Sequence, residues 1–126
     1  MLRPSLGTRF AQVRLANGSE CLTMTNGGSF RVVTPSREGA RGLTLDLVVI
    51  DEALAHPLEL VGAIGPTMAT RPASQLWIAS NAGNRSSEML RHYRDLGRAG
   101  DSPSLAWFEW AAADDDDPDD PATWAN

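Results

Sequence analysis

The fold class of this chain is decided by the stretch Leu45-Asp46-Leu47-Val48-Val49-Ile50-Asp51-Glu52-Ala53. Four consecutive apolar residues at positions 47–50 favour a β-strand that is covered on both faces, as in a parallel sheet, because a half-exposed hairpin strand would alternate apolar and polar side chains. Two carboxylates, Asp51 and Glu52, follow directly. The stretch therefore predicts a buried strand that ends in two adjacent acidic side chains.

Upstream of this stretch, short apolar runs alternate with turn sequences. Asn17-Gly18 and Asn26-Gly27-Gly28 separate three runs that read as strands, at residues 13–16, 20–25 and 30–34. Asn-Gly accepts the positive φ of a tight hairpin turn, so this order predicts an antiparallel β-meander. A polar loop rich in Gly and Arg then leads to the central strand.

Downstream, predicted helices alternate with predicted strands. Pro57 suits the first turn of a helix that runs up to Gly65-Pro66, with an apolar face made of Leu58, Leu60, Val61 and Ile64. Residues 75–80 predict a strand, a serine at 86 or 87 can cap a second helix that runs to residue 98, and residues 105–110 predict a last strand. A meander followed by strand, helix, strand, helix, strand is typical of an α/β protein.

Composition limits the chain to a small number of protein classes. Its 126 residues, 42% hydrophobic and 21% charged, suit one globular domain. Eleven basic residues face sixteen acidic ones, and every basic residue is Arg. Residues 101–126 hold eight of the carboxylates and no base, so residues 1–100 carry a net charge of +3. We therefore expect residues 111–126 to form an acidic segment or linker at the end of a domain at 1–110.

The cellular location follows from cysteine usage and hydropathy. A lone cysteine, Cys21, cannot form an internal disulfide, which fits a reducing compartment. The first ten residues lack the continuous apolar core of a signal peptide. Residues 43–50 form the longest strongly apolar stretch and are far shorter than the ~20 residues that a membrane-spanning helix needs. We expect a soluble protein that is neither secreted nor inserted in a membrane.

Adjacent carboxylates at the carboxyl end of a buried strand lie where α/β proteins bind ligands. The pattern is that of a Walker B motif. In such a site the first carboxylate, here Asp51, holds the water shell of Mg²⁺, and the following Glu52 polarises the water that attacks the γ-phosphate. The alternative is a buried strand that merely ends in acidic residues facing solvent, and the pattern by itself does not separate the two.

The order of further motifs resembles one family, the large terminase subunits of tailed bacteriophages, which package DNA with an ATPase domain followed by a nuclease domain. The resemblance rests on the Gly- and Arg-rich loop 36–42 before the central strand, on residues 66–81, and on Phe108-Glu109-Trp110, the Asp run and Trp124-Ala125-Asn126. It covers roughly residues 20–126. It implies that residues 1–110 form part of an ATPase domain, with a partial P-loop NTPase sheet of the ASCE type.

The resemblance also implies roles for five residues, with ATP and Mg²⁺ as cofactors. Asp51 corresponds to the carboxylate that holds Mg²⁺ through water, and Glu52 to the catalytic glutamate. Ser80 and Asn81 correspond to the coupling motif that senses the γ-phosphate, although Ser-Asn after a strand is also an ordinary turn. Arg41 lies where the family often carries an Arg that reaches the nucleotide or a neighbouring subunit; a loop Arg paired with a nearby carboxylate is the alternative.

The partners implied by the resemblance are double-stranded DNA, the portal, the small terminase subunit and further copies of the full protein in a ring, in the cytoplasm of the bacterial host. Within this chain, four arginines on or beside the second predicted helix could follow a DNA backbone or could simply be solvated. They are Arg85, Arg91, Arg94 and Arg98.

One departure from the family limits what the chain can do. Nothing resembles the phosphate-binding pattern G-x-x-x-x-G-K-[ST], and the chain has no Lys. Gly27-Gly28 lies in a predicted hairpin turn with no helix after it to direct amide groups at phosphates. The chain thus reads as the second half of an ATPase domain without its P-loop half. The alternatives are a catalytically silent remnant that serves as a structural or binding module, and another ASCE ATPase such as a helicase-like protein.

Overall fold

Strands and helices both occur in the computed structural model, which describes residues 10–17, 20–35, 39, 42–113, 115–117 and 119–124. The protein is a mixed α/β chain with one antiparallel and one parallel sheet. It divides into two compact units, Met1–Leu90 and Arg91–Asn126. The α/β class predicted from the sequence is confirmed.

The first unit begins with the predicted meander. Strands β1 (Phe10–Arg14), β2 (Cys21–Met24) and β3 (Ser29–Arg31) form an antiparallel sheet in chain order. The turn between β2 and β3 is closed by the Met24 N–H, which donates to the Gly28 carbonyl at 2.7 Å. Gly27 there has φ of 85°, the conformation for which glycine was expected in this turn. The meander prediction is confirmed.

The central apolar stretch forms β4 (Leu47–Ile50), which pairs with β5 (Gln75–Ile78) in parallel. The register places Leu47 opposite Gln75 and Ile50 opposite Ile78. Between the two strands lies α1 (Glu59–Met68), so the strand, helix, strand order predicted for residues 45–80 is confirmed. The helix is the crossover that a parallel pair requires.

Helix α1 supplies much of the buried surface of the first unit. Its buried side chains recur at helical spacing and are Leu60, Ile64, Thr67 and Met68. The helix runs to Met68, so the predicted end at Gly65-Pro66 is wrong. Pro66 removes one N–H from the last turn only, and the Thr67 hydroxyl donates to the Ile64 carbonyl at 2.7 Å, which holds that turn together.

The two-stranded parallel sheet is covered on one face. Ile50 is buried and its neighbours Val48, Leu76 and Ile78 are half-buried on the same side. On the other side Leu47, Val49 and Trp77 are 49%, 55% and 60% exposed. The prediction of a strand covered on both faces is therefore wrong. A run of consecutive apolar residues shows that both faces of the strand are hydrophobic. Whether each face is buried depends on which other elements pack against it.

The second unit is built on the carboxyl-terminal part of α2 (Glu88–Ala99), whose amino-terminal residues belong to the first unit. Residues 105–110 have no regular secondary structure, so the predicted last strand is wrong. Two side chains attach this segment to the helix. The Trp107 ring packs against Gly97 so closely that a Cβ at position 97 would overlap it, and Glu109 pairs with Arg98.

The acidic end of the chain adopts local turns. The Thr123 hydroxyl donates to the Asp117 carbonyl at 2.7 Å, and residues Pro121–Trp124 form a 3₁₀ helix. In the part of the chain that the structure describes, every helix is too short or too polar to cross a lipid bilayer.

Candidate functional site

The carboxyl ends of β4 and β5 meet at one edge of the parallel sheet. The Ile50 carbonyl accepts a hydrogen bond from the Ala79 N–H at 2.9 Å, and the Ala79 carbonyl accepts one from the Ala53 N–H at 3.1 Å. These two bonds extend the pairing beyond the last strand residues. They bring Asp51-Glu52 and Ser80-Asn81 to the same edge, where α/β proteins bind ligands.

Glu52 has a strained backbone. Its φ of 52° and ψ of 47° are left-handed, and among the described residues it alone has a positive φ without being glycine. Such a conformation costs on the order of 1–3 kcal/mol and persists only where the surrounding structure imposes it. Residues of this kind are concentrated at functional sites. Its backbone conformation therefore makes Glu52 a candidate functional residue.

The origin of this strain lies in the residues on either side. The Asp51 carboxylate accepts the Glu52 N–H at 2.9 Å, and the Glu52 carbonyl accepts the Ala55 N–H at 2.9 Å. Ala53 is fully buried and begins the 3₁₀ helix Ala53–Ala55. Burial of Ala53 and its bond to the neighbouring strand fix the start of the turn that follows Glu52.

Ser80 is held at the same edge by a contact that the sequence did not reveal. Its hydroxyl oxygen accepts a hydrogen bond from the Leu54 N–H at 3.0 Å, across 26 residues of chain. The bond satisfies a backbone donor in the 3₁₀ helix that follows Glu52. Ser80 thus connects the end of β5 physically to the turn that carries the two carboxylates, while Asn81 is exposed beside it.

We predict that Ser80→Ala lowers the free energy of unfolding by about 1 kcal/mol, because the Leu54 N–H loses its acceptor in a half-buried position. Urea unfolding followed by circular dichroism measures this change. The matched control is Asn81→Ala, which alters an exposed neighbour and should change stability by less than about 0.5 kcal/mol. Equal stability of the two variants would contradict the assigned contact.

The edge that carries the two carboxylates is open to solvent. Asp51 and Glu52 are both exposed, and no group of three or more potential metal ligands occurs in the described parts of the chain. A single carboxylate such as Asp51 can hold the water shell of Mg²⁺, which keeps most of its waters. Arg41, the predicted arginine of the site, lies outside the described residues.

The arginines considered for DNA contact are partly engaged. Arg94 pairs with Asp95 at 3.1 Å, and Arg98 pairs with Glu109 at 2.8 Å. The second unit holds three arginines and nine side-chain carboxylates, a net charge of −6, whereas the first holds eight arginines and seven carboxylates, a net charge of +1. The second unit is thus net negative, although all three of its arginines lie on α2.

Glu109 is the most strongly perturbed carboxyl group that the structure resolves. Arg98 donates two hydrogen bonds to its oxygens, at 2.9 and 2.8 Å, and the Trp107 indole N–H donates a third at 3.0 Å. The Arg98 bonds first, and then the Trp107 bond, lower the pKa of Glu109 from 4.5 to about 2. The sequence suggested none of this, because partners eleven residues apart meet only through the fold.

We predict that acid weakens the second unit through Glu109. Because folding lowers its pKa, the carboxylate stabilises the folded state fully above pH 4.5, and this contribution is lost as the pH falls through about 2. Urea unfolding of the parent and of Glu109→Gln at several pH values between 6 and 2 measures the effect. The parent should lose more stability than Glu109→Gln across this interval, and parallel curves would contradict the prediction.

No known protein family, curated protein or solved structure matches this chain. The fold and the site define it as a mixed α/β protein in which two parallel strands present a strained Asp-Glu pair and a Ser-Asn pair at one edge.

Proposed function

We propose that this chain is part of the ATP-hydrolysing motor of a terminase-like large subunit, and that it carries the Walker B and coupling residues of a P-loop ATPase of the ASCE type. One observation carries the proposal: the in-register parallel pairing of β4 and β5 brings Asp51-Glu52 and Ser80 to the same edge, joined through the Ser80 to Leu54 hydrogen bond.

The chemistry divides between the two carboxylates. Mg²⁺, when bound with ATP, neutralises phosphate charge and orients the γ-phosphate for attack. Asp51 holds the water shell of that ion. Glu52 accepts a hydrogen bond from the attacking water, which raises the nucleophilicity of the water oxygen. Because its backbone is left-handed, Glu52 projects its side chain in a different direction from a regular strand residue. Hydrolysis requires a general base that is held in a fixed position, and the imposed backbone conformation would hold Glu52 in this way.

The exposed face of the parallel sheet supports the same proposal. Parallel sheets are normally covered on both faces, yet Leu47, Val49 and Trp77 are about half exposed or more. In a P-loop ATPase the strand and helix that hold the triphosphate pack beside the Walker B strand. The apolar face of β4 and β5 offers the surface that such an element needs.

The proposed partners are those of a packaging motor: double-stranded DNA, the portal, the small terminase subunit and further copies in a ring, within the host cytoplasm. The charges of the two units favour the first unit for any contact with DNA, because the second carries −6. Ser80 and Asn81 would transmit the loss of the γ-phosphate through Leu54 to the turn at Glu52.

A silent structural module is the second candidate, and the use of the Ser80 hydroxyl favours it. That hydroxyl already accepts a backbone N–H, so the residue has a structural role whether or not nucleotide binds. The two candidates differ in one measurable respect. A silent module does not become an ATPase when a phosphate-binding half is supplied.

We predict that the chain by itself neither binds Mg-ATP with micromolar affinity nor hydrolyses it. A triphosphate is held mainly by P-loop amides and the P-loop Lys, and this chain has no Lys. Calorimetric titration with Mg-ATP and a phosphate-release assay measure both properties. Micromolar binding with turnover would show that residues assigned here to loops hold the phosphates.

The proposed function is tested with a chimera that fuses the P-loop half of an active terminase ATPase domain to residues 10–126 of this chain. The chimera should hydrolyse Mg-ATP, and a P-loop Lys→Ala variant of it should not. A folded chimera that binds Mg-ATP without hydrolysing it would favour the silent module. Circular dichroism and thermal unfolding establish that the chimera is folded.

A further inference from the structure

Two aromatic side chains of the second unit, Phe108 and Trp110, are displayed to solvent side by side. They are 74% and 90% exposed, the highest values among the large apolar side chains of the described residues. Their ring centroids are 6.4 Å apart and their planes differ by 19°, so the rings are stacked. Exposed aromatic pairs of this kind are typical of interaction sites, because aromatic residues supply most of the binding energy at interfaces.

The residues that alternate with this pair hold it in place. Trp107 packs against Gly97 of α2, and Glu109 receives two hydrogen bonds from Arg98 and one from Trp107. The backbone of the segment is therefore attached to the helix through positions 107 and 109. This attachment fixes the backbone that carries the aromatic pair, which reduces the entropy lost on binding.

Charge decides which partner suits the pair. The second unit carries −6, and its acidic turn begins five residues after Trp110. Side chains of that turn are fixed by local backbone contacts: Asp116 accepts the Ala113 N–H, and Asp117 accepts the Asp119 N–H, both at 2.8 Å. The negative net charge of the second unit attracts a cationic partner, and a guanidinium or ammonium group binds the face of Trp or Phe through its ring electrons.

We propose that Phe108 and Trp110 form a docking site for an Arg- or Lys-rich segment of a partner protein. The aromatic faces bind the cationic side chains, and the acidic turn that follows supplies long-range attraction. The proposal does not depend on ATP hydrolysis by the first unit. A single-stranded nucleic acid would also stack on the rings, but it needs a positively charged groove to track its backbone.

The direct test uses the full chain and a fluorescein-labelled peptide of six Arg-Gly repeats at 0.15 M salt, with binding followed by fluorescence anisotropy. We expect Trp110→Ala and Phe108→Ala each to weaken binding by up to about fivefold, the upper end of what loss of an exposed cation–π contact implies. The matched control is Trp77→Ala, which removes an exposed Trp from the first unit and should change affinity less than twofold. A Glu-Gly repeat peptide should not bind.

Two further variants separate the aromatic contribution from charge. Trp110→Phe retains an aromatic ring and should keep affinity within about threefold of the parent, which also guards against misfolding of the alanine variant. Asp115→Asn combined with Asp116→Asn should weaken binding and reduce its dependence on salt. Near-UV circular dichroism compares the folded state of each variant with the parent.

Four results would overturn the proposal. The parent chain could fail to bind the Arg-Gly peptide at 1 mM, or the alanine variants at positions 108 and 110 could bind it as well as the parent. A twelve-residue oligothymidine that binds more tightly than the peptide would assign the pair to nucleic acid. Self-association of the parent in sedimentation experiments, abolished by Trp110→Ala, would instead make a second copy of the chain the occupant.

Discussion

Glu52→Gln should lower the ATP turnover of the P-loop chimera by about 10²- to 10⁴-fold, the range that a general base contributes. Glutamine occupies nearly the same volume but cannot accept a proton from the attacking water. Because Glu52 contacts water and not the metal in this proposal, the affinity for Mg-ATP should stay within about twofold of the parent. Single-turnover hydrolysis and equilibrium nucleotide binding measure the two quantities separately.

The matched control for this prediction is Glu59→Gln, which makes the same chemical change at the exposed first turn of α1. That variant should keep the turnover of the chimera. Glu52→Gln also retains a non-glycine residue at the left-handed position, so its stability should equal that of the parent and a loss of turnover cannot be assigned to unfolding. Turnover within a factor of two of the parent would remove Glu52 from the catalytic role.

Ile50→Ala should lower the free energy of unfolding of the chain by about 2–5 kcal/mol, whereas Val49→Ala should cost less than about 1 kcal/mol. The two residues are neighbours in β4, but Ile50 is buried against the covered face and Val49 is 55% exposed on the other. Removing buried methyl groups loses their transfer free energy and leaves a cavity. Urea unfolding of the two variants measures the difference.

Ile50→Ala and Val49→Ala also test whether the P-loop half of the chimera covers the exposed face of the parallel sheet. In the P-loop chimera, Val49→Ala should become several-fold more costly, because the added strand and helix would bury Val49. If Val49→Ala costs as little in the chimera as in the isolated chain, the P-loop half does not pack on this face. Equal costs for the two variants in the isolated chain would contradict the one-sided coverage itself.

Much of the fold could be predicted from local signals. Asn-Gly turns between short apolar runs indicated the meander, and the spacing of apolar residues after Pro57 indicated α1. These signals succeed because turn geometry and helical periodicity depend on neighbours in the sequence. The parallel pairing of β4 with β5 followed from the helix between them, since a crossover of that length makes the second strand run parallel to the first.

The failures share a different physical cause. Residues 105–110 have the composition of a strand, but a strand exists only if another strand supplies its hydrogen bonds, and this segment is instead attached to α2 through Trp107 and Glu109. The continuous run at 47–50 suggested burial on both faces, and only one face is covered. In both cases the outcome depended on a partner element that the local sequence does not encode.

The candidate site shows the same division. The sequence by itself determined which side chains end β4 and β5, because the composition of each strand and the turn residues after it are local properties. Tertiary structure alone decided that Glu52 is left-handed, that Ser80 bonds to Leu54, that Glu109 pairs with Arg98, and that one sheet face stays open. Each of these depends on contacts between residues distant in the chain, or on the absence of such contacts at the open face.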